Sequence, residues 1–408
     1  MLYWAYELQS NVMSPIRLAA SGAIGAIGAF QDTRGRDLIW PMGAACELLT
    51  RMTLSHKRPA FGIRRVMTVD GEVPVVEETA MVTPFGTLVH FRKGDAAASA
   101  VSMPKVLVVS PLSGHFATLL RDTVRTLLPD HDVYITDWHN ARDIAVSAGP
   151  FGFADYVDHV VAFIDAIGAR AHVLSVCQPC VQVVAAVALM AQDNHPAQPR
   201  SMTLMAGPVD VRASPTKVNE LAMGKSLTWF ERNLISRVPW MHPGALRRVY
   251  PGFVQLSAFM AMNMDRHTKA HADLYRHLVR GEHAEAQAIK SFYDEYFAVL
   301  DLPAEFFLET VDFVFQRALL ARGELMHRGR KVDPSAIRRT ALLTVEGERD
   351  DICGFGQTAA AHDLCTGLRP YLKRHHMQPG VGHYGVFSGR RWETQIYPIV
   401  RNMILSME

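Results

Sequence analysis

One cysteine of this chain lies where a catalytic nucleophile is expected. Residues 173–180 have the sequence VLSVCQPC, so an apolar strand pattern passes directly into a helical pattern with Cys177 at the turn. A sharp strand-to-helix turn is where a nucleophile elbow presents its reactive atom. The N-terminus of the following helix favours the thiolate form of a cysteine placed there. Cys177 is therefore the candidate nucleophile.

Two later segments supply a candidate acid and a candidate base. Residues 345–351 (VEGERDD) are a strand end followed by carboxylates, among which Asp350 is the candidate acid. Residues 380–385 (GVGHYG) form a glycine-flanked loop that presents His383 without steric cost. The chain order nucleophile, acid, base is that of the α/β-hydrolases. In this interpretation His383 takes the thiol proton, and Asp350 fixes the imidazole tautomer and stabilises its cation.

Such a triad needs donors for the oxyanion of a tetrahedral intermediate. The backbone N–H of Gln178 is one predicted donor, because it directly follows the nucleophile. The second is expected from the loop after the apolar run at 106–109, with three candidates: Ser113, Gly114 and His115. We expect this oxyanion hole to lower the barrier by several kcal/mol.

Each assignment has alternatives that the sequence leaves open. Cys177 could be half of a redox C-x-x-C pair with Cys180, or a buried structural thiol. Two other carboxylates are alternative acids, the adjacent Asp351 and Asp210, which follows the preceding strand. Of the 18 histidines, only His383 lies in a Gly-x-Gly-His-x-Gly loop.

The elbow departs from the G-x-S-x-G pattern at three positions. Ser175 replaces the first glycine, Cys177 the serine and Pro179 the last glycine. Serine and proline are bulkier than glycine, so we expect strain in the close approach of strand and helix. Proline is nevertheless tolerated in a first helical turn, where its missing N–H would lack an intrahelical partner.

Composition excludes several classes of protein. Lys+Arg 42 against Asp+Glu 40 gives a net charge of +2, which leaves no cationic surface for nucleic acid. Five cysteines, an odd and scattered number, do not suit a disulfide scaffold and indicate a reducing compartment. No H-E-x-x-H motif, zinc-type Cys pairs or phosphate-binding glycine loop occurs, so no metal and no cofactor is expected. The 19 Met, 19 Phe, 11 Tyr and 6 Trp suggest apolar contact surface beyond the core.

The elements that position these residues alternate between strands and helices. Strands are predicted at 65–69, 87–91, 106–109, 132–136, 171–176, 201–205 and 340–345, with helices at 151–167, 177–190 and 391–404. From residue 106 this alternation predicts a mostly parallel, doubly wound α/β sheet. The candidate nucleophile and acid then lie at carboxyl ends of strands, where open α/β sheets place their sites.

Three regions follow from the pattern. Residues 1–60 are predicted to be an N-terminal helical extension, and residues 61–210 with 340–408 an α/β-hydrolase core. Residues 211–339 are predicted to be an inserted helical cap made of helix and loop. Within the extension, residues 16–30 are apolar apart from Arg17 and Ser21, but shorter than the roughly 20 residues of a membrane span. This segment is either a helix packed on the domain or one lying on an apolar surface.

Three motifs resemble those of the intracellular polyhydroxyalkanoate (polyhydroxybutyrate) depolymerases: 176–179 (VCQP), 347–352 (GERDDI) and 382–389 (GHYGVFSG). The resemblance extends over nearly the whole chain. It implies that the cysteine, aspartate and histidine singled out above form a catalytic triad. It also implies a cytoplasmic enzyme whose partner is the surface of insoluble storage granules of 3-hydroxybutyrate polyester. No nucleic-acid partner or membrane span is expected, and a homo-oligomer stays open.

The leading hypothesis is hydrolysis of polyester ester bonds to 3-hydroxybutyrate monomers or oligomers. The related polyhydroxyalkanoate synthases share the fold and a Cys-Asp-His triad, but their usual G-x-C-x-G elbow is not matched by Ser175 and Pro179. A cysteine acyl-enzyme is a thioester, close in energy to an acyl-CoA, so the cysteine alone does not separate hydrolysis from thiolysis by CoA or from synthase-type acyl transfer. A granule-coating protein with a vestigial triad is the non-enzymatic alternative.

Overall fold

The computed structural model describes residues 2–28, 36–69, 71–94, 103–262 and 264–408. Its strands are β1 Arg65–Thr68, β2 Gly71–Val82, β3 Gly86–Lys93, β4 Lys105–Val109, β5 Asp132–Trp138, β6 His172–Val176, β7 Ser201–Met205, β8 Ser236–Arg237, β9 Arg248–Tyr250, β10 Leu302–Pro303, β11 Met326–His327, β12 Arg330–Lys331, β13 Ala341–Gly347 and β14 Lys373–Gln378. Its α-helices are α1 Leu2–Gly28, α2 Arg36–Arg51, α3 Arg121–Leu127, α4 Phe153–Ile167, α5 Cys180–Gln192, α6 Lys217–Gly224, α7 Leu227–Leu234, α8 Gly252–Met262, α9 Met264–Arg280, α10 His283–Tyr296, α11 Ala304–Thr310, α12 Ala361–Leu364, α13 Gly389–Arg391 and α14 Tyr397–Leu405.

Nine strands form the central sheet, in the order β1-β2-β3-β5-β4-β6-β7-β13-β14. The strands from β5 to β14 in this order are all parallel to their neighbours. At the other end β1, β2 and β3 pair antiparallel, and β3 also runs antiparallel to β5. The prediction of a mostly parallel α/β-hydrolase sheet is confirmed.

The central strands are apolar because helices cover both faces of the sheet. Every residue of β6, β7 and β13 is buried, and α5 is buried along almost its whole length. The predicted strands at these positions are correct to within two residues. Two strands lack that apolar signal: β2 alternates between exposed and buried positions, and β14 is the largely exposed segment KRHHMQ. The sequence pattern predicts neither of these two strands.

Two expectations need correction. The helix predicted from Cys177 begins at Cys180, so the cysteine lies in the turn rather than in the helix. The expectation of only helix and loop between 211 and 339 is also wrong, because this region contributes a three-stranded sheet (β10-β9-β8) and the β11–β12 hairpin. These strands are two or three residues long and are therefore too short to produce a periodic pattern.

One extended segment, residues 297–301, joins the N-terminal helices, the sheet and the inserted region. The backbone of Ser55 bonds to Phe297 and Val299 at 2.9 and 2.8 Å, and Leu300 N donates to Gly114 O at 3.0 Å. The buried Asp301 then accepts a 2.7 Å bond from the hydroxyl of Tyr3 in α1. The 16–30 segment of the sequence lies in α1 as far as residue 28, and its last two residues fall outside the described ranges. No helix in those ranges is long and apolar enough to cross a membrane.

Candidate active site

Cys177 lies at a strained turn between β6 and α5. Its φ is +66°, in the left-handed region that non-glycine residues seldom adopt. Two backbone bonds fix the turn: Cys177 N donates to Met205 O at 2.8 Å, and Cys180 N donates to Cys177 O at 3.2 Å. The side chain is half-buried. This geometry is that of a nucleophile elbow.

The close approach at the elbow is made by a glycine on the neighbouring strand's loop. A Cβ atom at Gly207 would overlap the side chain of Cys180 and lie 2.8 Å from the carbonyl oxygen of Cys177. The elbow sequence instead predicts strain at Ser175 and Pro179. Pro179 has a φ of −72°, which is ordinary for proline, and Ser175 is buried at the end of β6. Gly207 follows β7 and carried no motif that would single it out.

Asp350 and His383 form a buried pair at the carboxyl ends of β13 and β14. The Nδ1 atom of His383 lies 2.8 Å from Oδ2 of Asp350, and their side chains are 5% and 1% exposed. A carboxylate only accepts hydrogen bonds, so Nδ1 carries the proton. The other oxygen, Oδ1, accepts backbone N–H bonds from Ile352 and Cys353 at 2.9 and 2.8 Å. Asp350 is therefore held with both of its oxygens satisfied.

The alternative acids lie elsewhere. Asp210 is engaged by the guanidinium of Arg212 through two bonds of 2.8 Å. Asp351 is exposed at the rim of a cavity. Of the three carboxylates considered, the structure brings Asp350 to the imidazole of His383.

The side chain of Cys177 lies close enough to His383 to act on the pKa of its imidazole. Burial alone would lower the pKa of His383, but the charges and hydrogen bonds of Asp350 and Cys177 outweigh it and hold this pKa well above its usual value. The imidazolium form is therefore favoured between the carboxylate and the sulfur. Asp350, His383 and Cys177 therefore meet at one place, with the imidazole between the carboxylate and the thiol.

The remaining interpretations of Cys177 gain no support from its neighbours. All five cysteines are free. Cys180 is fully buried, its thiol faces the carbonyl oxygens of Ser175 and Met205, and burial raises its pKa to about 12. A redox pair needs an accessible thiolate, which Cys180 does not offer. Cys177 is also less buried than an inert core thiol.

A hydrogen-bonded loop that contains Thr358 connects the strand end before Asp350 to the loop beside the elbow. The buried carboxylate of Glu346 accepts from the backbone N–H groups of Thr358 and Ala359 at 2.8 and 3.0 Å. The hydroxyl of Thr358 in turn accepts from Gly207 N at 2.9 Å and donates to Gly207 O at 3.0 Å. Glu346 was visible in the sequence as part of the acid segment, but its role in ordering this loop was missed.

The predicted oxyanion loop follows β4. The carbonyl oxygen of Ser110 accepts bonds from Trp138 and Tyr156 at 2.9 and 2.8 Å, which fixes the start of the loop. Gly114 has a φ of +94°, a conformation that suits glycine. The imidazole of His115 is buried against the carbonyl oxygen of Tyr296, and burial lowers its pKa to about 4. The donor roles of Gln178, Ser113, Gly114 and His115 stay predictions.

A cavity of about 490 Å³ opens beside the imidazole. His383 and Tyr384 line one side, and Phe259 and Tyr296 from the inserted region line the other. Polar groups of Arg266, Arg349 and Asp351 also line it. Within the described ranges, no cluster of His, Cys, Asp and Glu side chains is suited to hold a metal ion.

Comparisons with known proteins identify a family. The model of the PHB de-polymerase C-terminus matches residues 206–408, a stretch that contains Asp350 and His383. No curated protein sequence matches the chain. Similar solved structures include a lipase from Acinetobacter baumannii AYE (12% identity, 81% of this chain and 93% of that chain covered, TM-score 0.43). A second is the hydrolase BphD from Rhodococcus sp. strain RHA1 (11% identity, 82% of this chain and 99% of that chain covered, TM-score 0.44). A third is a monoacylglycerol lipase from Paleococcus ferrophilus (12% identity, 75% of this chain and 97% of that chain covered, TM-score 0.43). Residues 206–408 are thus PHB depolymerase-like, the fold is that of an α/β-hydrolase, and the chain is a carboxylic ester hydrolase.

Proposed function

We propose that this protein cleaves the ester bonds of polyhydroxybutyrate or a related polyhydroxyalkanoate, with Cys177 as nucleophile, His383 as base and Asp350 as the acid that orients it. The observation that carries the proposal is the buried Asp350–His383 pair of 2.8 Å beside the strained turn of Cys177, whose side chain acts on the pKa of the imidazole. The family match supplies the class of substrate.

In the first half-reaction the sulfur of Cys177 attacks the ester carbonyl carbon and forms a C–S bond. The tetrahedral oxyanion is held by the Gln178 N–H and by an N–H from Ser113, Gly114 or His115. His383 gives its proton to the leaving 3-hydroxyl oxygen as the ester C–O bond breaks. The product of this step is a thioester on Cys177.

In the second half-reaction His383 takes a proton from water, and the resulting hydroxide attacks the thioester carbonyl. The C–S bond breaks, the acid is released and the sulfur leaves as thiolate beside the imidazolium. Asp350 stabilises the cation in both half-reactions. Free CoA thiol in place of water would give a 3-hydroxyacyl-CoA instead of the acid.

The proposed setting is a cytoplasmic storage granule whose neutral polyester surface is the partner of the enzyme. A chain with free cysteines and a net charge of +2 is suited to a reducing compartment and to an uncharged polymer. We also propose residues 1–60 as an extension, 61–210 with 340–408 as the catalytic core and 211–339 as the cap. In support of this division, all nine strands of the central sheet come from residues 65–205 and 341–378.

Incubating the purified protein with amorphous polymer granules tests the function. We expect release of 3-hydroxybutyrate or its oligomers with water alone. Acyl-CoA that appears only when CoA is added would indicate thiolysis, and polymer growth from 3-hydroxybutyryl-CoA would indicate a synthase. Binding without any product would indicate a coat protein.

The variants Cys177→Ala and Cys177→Ser, in which the nucleophile is removed or weakened, are the controls. We expect loss of at least about 10³-fold of the polymer hydrolysis in Cys177→Ala. A matched variant, Cys46→Ala, changes a half-buried cysteine of α2 and should retain hydrolysis. Full activity in Cys177→Ala would remove the nucleophile assignment.

A further inference from the structure

One row of exposed side chains on α1 contains no charged residue. Residues 2–28 contain two charged side chains, Glu7 and Arg17, and neither belongs to that row. Glu7 faces Arg142 and His242 with its side chain 14% exposed, and Arg17 donates to the carbonyl oxygen of Met52. Glu7 is thus largely buried, and the half-buried Arg17 points towards the segment after α2.

The exposed apolar side chains of that row follow one another at four-residue spacing: Trp4, Leu8, Val12 and Ile16. Residues four apart lie on the same side of a helix, so these four form a stripe. Leu8 and Val12 are 66% and 60% exposed. Large apolar side chains in such a continuous exposed row usually mark a contact surface.

A loop beside the first turns of α1 carries two more exposed apolar side chains. The loop is tied to the first turns of α1 through a 2.9 Å bond between His242 and Glu7. The two residues before His242, which are Trp240 and Met241, are exposed, and Trp240 is 75% exposed. We name the set Trp4, Leu8, Val12, Ile16, Trp240 and Met241 the α1 surface.

The α1 surface is one helix away from the catalytic cavity. The ring of Tyr6 in α1 stacks on Phe253 of α8, with centroids 4.2 Å apart. A groove of about 360 Å³ between the two helices is lined on the α8 side by Phe253 and Ser257. Phe259 of the same helix lines the catalytic cavity. At 1.5 Å per residue, only about 9 Å of helix separates Phe253 from Phe259.

We propose that the α1 surface is the granule-docking face of the enzyme, and that its occupant is the neutral polyester surface itself. This inference rests on the proposed function, which supplies the polymer. Charge complementarity favours that occupant, because an uncharged polyester matches a face without charges. A helix that lies on a lipid bilayer typically carries several Lys and Arg residues on its polar side, whereas residues 2–28 contain a single one, the half-buried Arg17. Docking through α1 brings polymer next to α8 and the cavity beyond it.

The test uses the full-length chain and the double variant Leu8→Glu/Val12→Glu. A matched control, Val82→Glu/Leu405→Glu, places the same charges at apolar positions that are 63% and 47% exposed on β2 and α14. Binding to amorphous poly(3-hydroxybutyrate) granules is measured by co-sedimentation in a Cys177→Ala background, so that the polymer is not consumed. Hydrolysis of a soluble short-chain ester with Cys177 intact, and the unfolding temperature, report whether each variant folds.

We expect the α1 variant to bind granules at least about tenfold more weakly than the control, because two buried apolar contacts are replaced by desolvated charges. Its hydrolysis of the soluble ester should stay within about twofold of that of the control. Equal granule binding by the two variants would overturn the proposal.

Two further measurements separate the other occupants. Tighter binding of the parent protein to phosphatidylcholine/phosphatidylglycerol vesicles than to polymer would overturn the proposal in favour of a lipid surface. A dimer that Leu8→Glu/Val12→Glu converts to a monomer, with granule binding unchanged, would overturn it in favour of a second copy of the chain. Selective loss of granule binding in a protein that releases no product from polymer would support the docking face while refuting the proposed function.

Discussion

The two halves of the candidate site differ in how fully their polar groups are bonded. On the acid–base side, both oxygens of Asp350 accept bonds, and the buried Glu346 accepts three from backbone N–H groups. On the elbow side, the described structure gives no hydrogen-bond partner to the Ser175 hydroxyl or to the side-chain amides of Gln178 and Gln182, although all are buried. The elbow also contains the positive φ of Cys177.

This difference indicates that the Asp350–His383 side and the elbow have different structural roles. Satisfied buried networks rigidify their surroundings, whereas unpartnered buried groups and strained backbone cost stability and tend to occur at functional sites. The Asp350–His383 side is a fixed frame, and the strained backbone of the elbow holds Cys177, the proposed nucleophile, in its exposed position at the turn. Substitutions in the frame should therefore reduce both activity and stability, while apolar substitutions behind the elbow should stabilise the protein.

The largest effect is expected from Asp350→Asn. The neutral amide cannot stabilise the imidazolium of His383 and favours the wrong tautomer, so kcat/KM for a soluble ester should fall by about 10³ to 10⁴-fold. The matched variants Asp351→Asn and Asp210→Asn should change it less than about threefold. Steady-state kinetics of the three proteins checks this prediction, and a larger loss in Asp351→Asn or Asp210→Asn would transfer the acid role.

Gly207→Ala tests the close approach at the elbow. The added Cβ overlaps Cys180 and presses on the Cys177 carbonyl, so we expect a loss of about 2 to 3 kcal/mol in the free energy of unfolding and a reduced kcat. Gly224→Ala, at a position with nothing within 4 Å, is the matched control and should be close to neutral. Urea unfolding measures the stability of both variants. Equal stability of Gly207→Ala and Gly224→Ala would contradict a close approach at Gly207.

The Asp350–His383 pair should also make the free energy of unfolding depend on pH. Folding raises the pKa of His383, so its stabilising contribution is fully present below the unfolded-state pKa of about 6.5 and is lost as the pH rises through the higher folded-state pKa. We expect the free energy of unfolding of the parent protein to fall over that interval, and to fall less in Asp350→Asn. Parallel curves for the two proteins would contradict a stabilising ion pair.

The smallest effect is expected behind the elbow. Gln182 is fully buried in α5, and neither atom of its amide has a partner. Gln182→Met keeps the size of the side chain and removes the unpaired polar atoms, so we expect a gain of about 1 kcal/mol in the free energy of unfolding. Thr358→Val, which breaks the bonds to Gly207, should instead cost about 1 to 2 kcal/mol. Thermal unfolding of Gln182→Met and Thr358→Val shows whether the two stability changes have opposite signs.

The sequence was sufficient for the sheet because its central strands carry strong local signals. The apolar runs that became β4, β6 and β7, each followed by turn residues and a helical pattern, identified both the fold and the position of Cys177. Asp350 was found for the same reason, since it follows a predicted strand end, whereas His383 was singled out by its glycine-flanked loop. The two-residue strands of the cap and the polar β14 carried no such signal.

What the sequence did not predict depends on contacts between distant parts of the chain. Gly207 is needed only because α5 begins beside it, and no local pattern marks it. Asp301 bonds to Tyr3, which lies 298 residues earlier in the chain. The exposed row of α1 became interpretable only when Glu7 and Arg17 were seen to lie outside it, bonded to the neighbouring elements.

The central claim is that the acyl group passes through the sulfur of Cys177. Intact-protein and peptide mass spectrometry, after rapid acid quench of the enzyme with a soluble 3-hydroxybutyrate oligomer ester, tests it directly. We predict one acyl unit on the peptide that contains Cys177, released by hydroxylamine and absent in Cys177→Ala. An acyl group on another residue, or continued turnover of Cys177→Ala, would contradict the claim.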